Sequence, residues 1–287
     1  MNIDLHCHCA PYSACATQSI DELLLRAKEG GIRTLSITNH DTTKDENLFE
    51  KKAMEMGFAY IKGAELGTSL AEEGLGFPKG VKIHILAHAY KDGDLIESVM
   101  QYVKNSSENA EIKRARGEYI AKRFNDLSLS GLTKQRLIAC LVEKGHFSDV
   151  RAAKEFLRSP EIRDGFALRC LGPKETIDLI HKAGGFATWA HPFRGEHHYK
   201  FNEDDVKAIL AKLVAYGLDG LECFHSSNFE AGGVDLLRAL AKRYGLFETI
   251  GSDRHHNRPV PYFSFEKSMT ASYESEIDIS KIQGGNL

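Results

Sequence analysis

Short apolar runs alternate with helical stretches along most of this chain. The strand-like runs are Ile3 to Leu5, Leu35 to Thr38, Tyr60 to Ile61, Val81 to Ala87, Phe186 to Trp189, Gly220 to Cys223 and Phe247 to Ile250. Strands that alternate with helices are typical of βαβ units, whose strands pair in parallel. The pattern therefore predicts an α/β fold, a parallel barrel of seven strands.

The helical stretches begin and end with ordinary capping residues. Ser19 precedes the first one with Glu22 three residues later, the spacing of a capping box, and Gly30 and Gly31 follow it. The predicted helices of the barrel are Ser19 to Glu29, Asp45 to Met56, Lys174 to Ala183, Asp204 to Tyr216 and Gly233 to Tyr244.

Strand-like runs disappear between residues 95 and 169, where the spacing of apolar residues is helical. We interpret this segment as a small helical domain inserted into a discontinuous barrel domain, residues 1–94 and 170–258. Residues 259–287 are polar and receive no predicted structure. The insertion is locally basic, because Gln101 to Arg163 holds 13 Lys or Arg against 8 Asp or Glu.

The composition of the chain limits the classes of partner that we expect for it. The 287 residues carry a formal net charge of only −3, so we expect no membrane partner and no stable nucleic-acid complex from charge alone. Apolar runs stay far below the roughly 20 residues that cross a bilayer. The six cysteines form no CxxC pair and no leader segment is apparent, so we expect a reduced, cytoplasmic protein.

Nearly every strand-like run leads into a histidine or a carboxylate. Because sites in parallel α/β barrels form at the carboxyl ends of the strands, these residues are expected to converge. His6 and His8 are two apart, so they project to the same face of a strand. Imidazole and carboxylate ligands suit zinc, manganese and iron, and so large a cluster indicates more than one ion. The residues in question are His6, His8, His40, Asp41, Glu65, His84, His191, Glu222, His225, Asp253 and His255.

The other histidines lack this placement. We interpret them as exposed or supporting residues, with His88 ambiguous. They are His146, His181, His197, His198 and His256.

In their order and spacing these motifs resemble the polymerase and histidinol phosphatase (PHP) family of metal-dependent phosphoesterases, from Asn2 to about Arg258. The resemblance implies a distorted (β/α)7 barrel and two or three divalent manganese, zinc or iron ions, with Glu65 as a bridging carboxylate. The ligands that it implies are His6, His8, His40, Glu65, His84, His191, Asp253 and His255.

Two positions depart from the family pattern. The Asp of the usual Ser-Asp-Gly turn is missing from Ser13-Ala14-Cys15, and the usual TDHD contains Asn39. The first change removes a candidate ligand. Either one metal binds weakly, or Cys15 or Cys9 supplies a softer ligand; the plainer alternative is that both cysteines fill space.

The insertion is similar to that of members that dephosphorylate nucleotides or trim short RNA from its 5′ end. We therefore expect hydrolysis of a nucleoside monophosphate, a 3′,5′-bisphosphate or a short 5′-phosphorylated oligonucleotide by metal-bound hydroxide. Arg194, His225 and Asp41 are the predicted catalytic residues; Arg194 is expected to bind phosphate, and His225 to protonate the leaving oxygen or bind phosphate.

In the insertion, Lys134, Arg136 and Arg151 are candidates for a second phosphate, against the alternative of an ordinary solvated face. Arg194 has the plainer alternative of a surface ion pair.

Three other functions compete. A histidinol-phosphate or sugar-phosphate phosphatase shares the chemistry. A metal-dependent amidohydrolase also uses an HxH strand end, but it commonly needs a modified Lys, and no Lys ends a strand here. A degenerate, non-catalytic binding module is favoured by Ala14 alone.

Overall fold

A computed structural model describes residues 3–71, 81–195 and 200–256. The chain divides into two compact units, the first formed before residue 101 and after residue 170, the second by residues 101–170. His197, His198 and the predicted tail, residues 259–287, lie outside the described residues.

The first unit contains two sheets. One is parallel, with strand order β1 (Ile3–Cys7), β2 (Thr34–Ile37) and β3 (Ala59–Tyr60). The other has the order β4 (Gly63–Leu70), β5 (Val81–His88), β6 (Phe186–Trp189), β7 (Gly220–Phe224) and β8 (Phe247–Ile250). Single bridges connect the two sheets, between Cys7 and Arg254 and between His40 and Glu65. The predicted mixed α/β class is confirmed.

One part of the sheet differs from the predicted parallel arrangement. Strand β5 pairs antiparallel with both β4 and β6. Only residues 71–80 separate β4 from β5, too few for the helical crossover that a parallel pair requires. Glu65 therefore lies near the start of a strand and His84 in the middle of one, not at strand ends.

Helices cover the sheets and also build the second unit. In α1 the predicted capping box between Ser19 and Glu22 is present. None of the helices in the described ranges is long and apolar enough to cross a membrane. The helices of the first unit are α1 (Ile20–Glu29), α2 (Glu46–Glu55), α3 (Gly93–Lys104, which runs into the second unit), α8 (Pro173–Lys182), α9 (Glu203–Ala215), α10 (Ser226–Glu230) and α11 (Val234–Tyr244). Those of the second unit are α4 (Ser107–Arg123), a 3-10 turn (Leu127–Leu129), α5 (Lys134–Glu143), α6 (Val150–Leu157) and α7 (Pro160–Gly165).

Each unit has its own apolar core. Around the five-stranded sheet, buried Leu66, Ile85, Trp189 and Leu221 pack together with residues of α8, α9 and α11. A smaller cluster lies under β1 and β2, where α1 and α2 contribute, and a third, around Leu141, belongs to the second unit. Burial of apolar side chains on one side of the strands stabilises them. Their polar residues can then lie close together on the other side.

Candidate metal centre

The predicted ligands meet in the first unit. His6 lies in β1 and His8 directly follows that strand, whereas Glu65 lies in β4 and His84 in β5. The others follow the ends of β2, β6 and β8, where polar residues replace the apolar run: His40, His191, Asp253 and His255.

Glu65 lies at the centre of this cluster and is fully buried. Its Oε1 is 2.7 Å from His84 Nδ1, 3.2 Å from His191 Nε2 and 3.3 Å from His6 Nε2. Its Oε2 is 2.9 Å from His40 Nδ1 and 3.2 Å from His8 Nε2. The two oxygens thus face different sets of histidines, the arrangement of a carboxylate able to bridge two ions.

Asp253 faces the same region from the loop after β8. Its Oδ1 lies 3.2 Å from His8 Nε2 and 3.5 Å from His6 Nε2. Its Oδ2 lies 3.2 Å from Arg194 Nη1. The Asp253 carboxylate therefore contacts both the histidines and the guanidinium group of Arg194.

These separations fit metal coordination. Two donors bound tetrahedrally at the usual zinc distances lie about 3.4 Å apart, close to the separations around Glu65 and Asp253. His6 Nε2, His8 Nε2 and Glu65 Oε2 are buried without a hydrogen bond of good geometry. Among the described residues, three groups of donors lie within 4.8 Å of one another and could hold an ion: His8, His40 and His255; His6, His8, Glu65 and Asp253; and His40, Glu65 and His84.

Hydrogen bonds orient the histidine rings. His6 Nδ1 donates to Glu222 Oε1 at 2.9 Å, and His191 Nδ1 donates to the Arg194 carbonyl at 2.7 Å. Glu222 Oε2 also accepts the His191 backbone N–H at 2.7 Å. With the proton fixed on Nδ1, both rings turn the lone pair of Nε2 toward Glu65, as metal-binding histidines commonly do.

His8 is held in the same way by the loop that departs from the family pattern. Ser13 Oγ donates to Asn39 Oδ1 at 2.9 Å and lies 3.1 Å from His8 Nδ1. Asn39 Oδ1 also accepts the Cys9 N–H at 3.0 Å. The Asn that replaces the family's Asp is therefore a support for the loop, and Cys9 is a buried core residue.

At this site, burial and the neighbouring histidines shift the pKa values of the carboxylates in opposite directions. Burial by itself would raise the pKa of Glu65, but His84, His40 and His6 bring it well below its usual value. Asp253 behaves likewise through His8 and His6. Burial, reinforced by neighbouring His40, lowers the pKa of His8 to about 4. Ionised carboxylates with a neutral imidazole are the protonation states that bind metals.

Several residues of the site adopt backbone conformations unfavourable for non-glycine residues. His191 has φ 32, Asp253 φ 50 and Asp41 φ 53. Such conformations persist where the surrounding structure imposes them, and they concentrate at functional sites.

The structure places the three predicted catalytic residues at the edge of the cluster. Arg194 is half-buried and reaches Asp253. His225 is buried with Nε2 4.0 Å from Asp253 Oδ2, and burial lowers its pKa to about 4. Asp41 accepts the Gly67 N–H at 2.8 Å and belongs to none of the donor groups found among the described residues.

The basic residues of the insertion are exposed on helices of the second unit. Arg136 Nη1 pairs with Glu143 at 3.1 Å, and Arg151 Nε with Glu155 at 3.0 Å. Lys134 begins α5. Their predicted contact with substrate remains a prediction.

Sequence reasoning undervalued two residues. Glu222 follows from the same strand-end pattern, yet only the structure shows that it supports His6 and His191. Burial would raise the pKa of the Cys15 thiol, but the neighbouring His255 and His40 lower this pKa to about 6. The ambiguous His88 is structural, since its buried ring lies 2.9 Å from the Leu5 carbonyl oxygen.

A mixed α/β fold with a carboxylate-bridged histidine cluster defines a metal-dependent hydrolase. Residues 4–168 match the PHP domain family, more than half of the chain, so the chain belongs to the PHP domain family. This confirms the predicted family, and with it the predicted enzyme class, a phosphoester hydrolase.

Two curated relatives match nearly the whole chain. One, 27% identical over 286 residues, is the 5′-3′ exoribonuclease Rnm of Escherichia coli (strain K12), with 93% of this chain and 88% of that protein covered. The other, 26% identical over 275 residues, is the phosphoribosyl 1,2-cyclic phosphate 1,2-diphosphodiesterase of Eggerthella lenta, with 91% and 97% covered.

Solved structures share the fold. An amidohydrolase from Chromobacterium violaceum with bound sulfate superposes with a TM-score of 0.68 at 20% identity, covering 89% of this chain and 88% of its own. A structure assigned as a metal-dependent phosphoesterase from Bifidobacterium adolescentis gives 0.67 at 22% identity, covering 90% of each. At these identities the likeness establishes the fold alone.

Proposed function

We propose that the protein hydrolyses phosphate esters of nucleotides, namely a nucleoside monophosphate, a 3′,5′-bisphosphate or a short 5′-phosphorylated oligonucleotide. It would use two or three divalent ions of manganese, zinc or iron. The observation that carries the proposal is Glu65, whose two oxygens face separate sets of histidines. The proposed substrate class is supported by the names of two curated relatives, one of which acts on RNA and the other on a cyclic phosphate.

In this proposal the ligands are the eight residues predicted from the sequence. When bound, the ions supply Lewis acidity, which activates water and stabilises negative charge on the phosphoryl oxygens. The set is His6, His8, His40, Glu65, His84, His191, Asp253 and His255.

Arg194 is proposed to bind the phosphoryl group. Its guanidinium is already placed beside the cluster by Asp253 Oδ2 at 3.2 Å, and it remains accessible on one side, with 35% of the side chain exposed. Planar guanidinium groups bind phosphate through two parallel hydrogen bonds, which a lysine does not reproduce.

His225 is proposed to donate a hydrogen bond to substrate. The backbone N–H of Ser227 donates to His225 Nδ1 at 3.1 Å, which leaves the ring proton on Nε2. This Nε2 is buried and makes no hydrogen bond of good geometry. Asp41 is kept as a candidate for proton transfer from its place beside the cluster, since burial raises its pKa.

A cytoplasmic location is part of the proposal. All six cysteines, which lie in the described part of the chain, are free thiols. Reduced thiols are typical of proteins from a reducing compartment.

The proposal is tested by an activity panel on metal-reconstituted protein. The panel contains adenosine 3′,5′-bisphosphate, AMP, a 5′-phosphorylated RNA trimer, histidinol phosphate, an aryl phosphate and an amide. We expect the first three to be hydrolysed most efficiently and the Asp253→Ala variant to be inactive on all. Preferential cleavage of histidinol phosphate or of the amide would overturn the substrate proposal.

The insertion is tested separately. Replacing Lys134, Arg136 and Arg151 together by Ala should remove the preference for the doubly charged nucleotide and leave aryl phosphate turnover within a few fold. The preference of the wild type should also weaken with salt, because screening acts on exposed charges more than on buried ones. Parallel loss of both activities would show that these residues act structurally.

A further inference from the structure

Asn228, in the short helix α10, is a fully buried polar side chain. It lies three residues after His225, where the chain has just left strand β7. A buried amide is stable only when its donors and its acceptor have partners. The partners of Asn228 therefore show which parts of the chain it holds together.

The amide nitrogen of Asn228 is bound to the carboxyl end of β7. Its Nδ2 donates to the carbonyl oxygen of Glu222 at 2.8 Å and to that of Cys223 at 3.2 Å. Glu222 is the residue whose carboxylate contacts the His6 ring and the His191 backbone. Asn228 is thus fixed to the strand that also supports the candidate metal centre.

The amide oxygen of Asn228 faces a different segment, the turn that follows β6. Its Oδ1 accepts the backbone N–H of Phe193 at 3.5 Å. The turn is closed by the N–H of Arg194, which donates to the His191 carbonyl at 2.8 Å. The Phe193 ring packs so closely on Gly233 that a Cβ at Gly233 would collide with it. Phe193, the residue before Arg194, is therefore held by both its backbone and its ring.

The backbone of Asn228 holds the segment that carries His225. Its N–H donates to the His225 carbonyl at 3.0 Å, and its carbonyl accepts the Gly233 N–H at 2.9 Å. The His225 ring accepts the N–H of Ser227 at 3.1 Å. Asn228 thus connects the two segments that supply the proposed phosphate contacts, Arg194 and His225.

We propose that Asn228 is a positioning residue that sets the place of Arg194 relative to His225, and thereby the affinity of the site for the phosphoryl group. Because a guanidinium binds phosphate through two directional hydrogen bonds, a small displacement of its backbone weakens both. An apolar side chain could fill the same space, but it could not tie the Phe193 N–H to β7. The inference rests on the phosphate-binding role proposed for Arg194 and not on the nucleotide part of the substrate.

The test measures calorimetric binding of inorganic phosphate to the full, metal-reconstituted protein, together with kcat/KM for an aryl phosphate. Asn228→Ala should weaken phosphate binding roughly tenfold, with the number of bound ions unchanged. Asn109→Ala is the matched control. Asn109 is also buried, and its amide donates in the same way to two carbonyl oxygens, those of Val103 and Arg169, within the second unit. This control should lose stability but keep wild-type phosphate affinity.

A double-mutant cycle separates positioning from general damage. In the Arg194→Ala background, Asn228→Ala should lower kcat/KM by less than about twofold, because the group that it positions is already absent. If Asn228→Ala does not fold, Asn228→Asp takes its place with the same expected weakening. Aspartate keeps the size and an acceptor oxygen but lacks the amide donor.

The inference is overturned if Asn228→Ala binds phosphate like the wild type, if it loses bound ions, or if its effect on kcat/KM is the same with and without Arg194. Wild-type phosphate affinity in Arg194→Ala would reject the proposed role of Arg194 itself, and with it this inference. Neither measurement involves a nucleotide, so a failure of the proposed substrate class shows in the activity panel and not in this test.

Discussion

Glu222 Oε1 lies 2.9 Å from His6 Nδ1, and both side chains are fully buried. This contact fixes the proton on Nδ1 and presents Nε2 of His6 to Glu65 and Asp253. The same carboxylate receives the backbone N–H of His191. One residue outside the predicted ligand set thus contacts two predicted ligands, one in β1 and one that follows β6.

Glu222→Gln should weaken metal binding without removing a ligand. Both oxygens of the Glu222 carboxylate accept hydrogen bonds, whereas the amide of Gln has one acceptor oxygen. Either the His6 ring or the His191 backbone N–H therefore loses its acceptor. We expect metal affinity to fall roughly 10- to 100-fold, measured by competition with a chelator. Glu248→Gln, which affects a half-buried pair with Arg238, is the control and should bind metal normally. Equal affinity in both variants would contradict the assigned role.

Arg194→Ala should lower kcat/KM by roughly ten- to a thousandfold, about 1.4 to 4 kcal/mol, with metal content unchanged. The reason is the loss of a bidentate phosphate contact. Arg194→Lys should recover only part of the activity, since lysine keeps the positive charge but lacks the planar guanidinium that makes two parallel hydrogen bonds. Arg26→Ala, which removes an exposed pair with Glu29, serves as the control. Wild-type kinetics in Arg194→Ala would leave the residue as a support for Asp253.

Gly251→Ala should destabilise the site. A Cβ at Gly251 would collide with His6 Cβ and Glu222 Oε1, neither of which can move without disturbing the cluster. We expect a lower melting temperature and fewer bound ions. Gly165→Ala, where a Cβ meets open space, should change neither. Normal metal content in Gly251→Ala would show that the loop after β8 has room to adjust.

Glu46 should make stability depend on pH. Burial raises its pKa from 4.5 to about 7. The folded state then holds a proton that the unfolded state has lost, so the free energy of unfolding falls as pH rises through this window. Glu46→Gln keeps an acceptor for Tyr60 and Gly63 and does not titrate. Its stability relative to the wild type should increase by up to about 3 kcal/mol between pH 4 and 8, measured by urea unfolding.

The sequence predicted that the candidate ligands converge, but it did not predict all of the strand directions that bring them together. Helix caps such as Ser19 and apolar runs such as Phe186–Trp189 are local signals, and the structure reproduces them. The hairpin of β4 and β5 is not local, because strand direction depends on the connection between the strands. Glu65 and His84 therefore meet as predicted, although neither lies at the end of a strand.

The supporting residues were harder to predict for a related reason. Glu222 and Ser13 act through hydrogen bonds to histidine rings, which depend on side-chain direction across the fold. The spacing of Ser13 does not distinguish it from an ordinary polar residue, and the strand-end pattern that includes Glu222 does not show which histidines it contacts. Cys15 was considered as a ligand from its position, and it belongs to none of the donor groups found among the described residues.

The central claim is that the cluster around Glu65 and Asp253 holds the catalytic metals. It is tested most directly by measuring bound transition metals per chain, alongside phosphoester hydrolysis, in the wild type and in Asp253→Ala. We predict at least two ions per chain in the wild type, and in the variant fewer ions with no hydrolysis. Full activity in metal-stripped wild-type protein, or wild-type metal content and turnover in Asp253→Ala, would contradict the account.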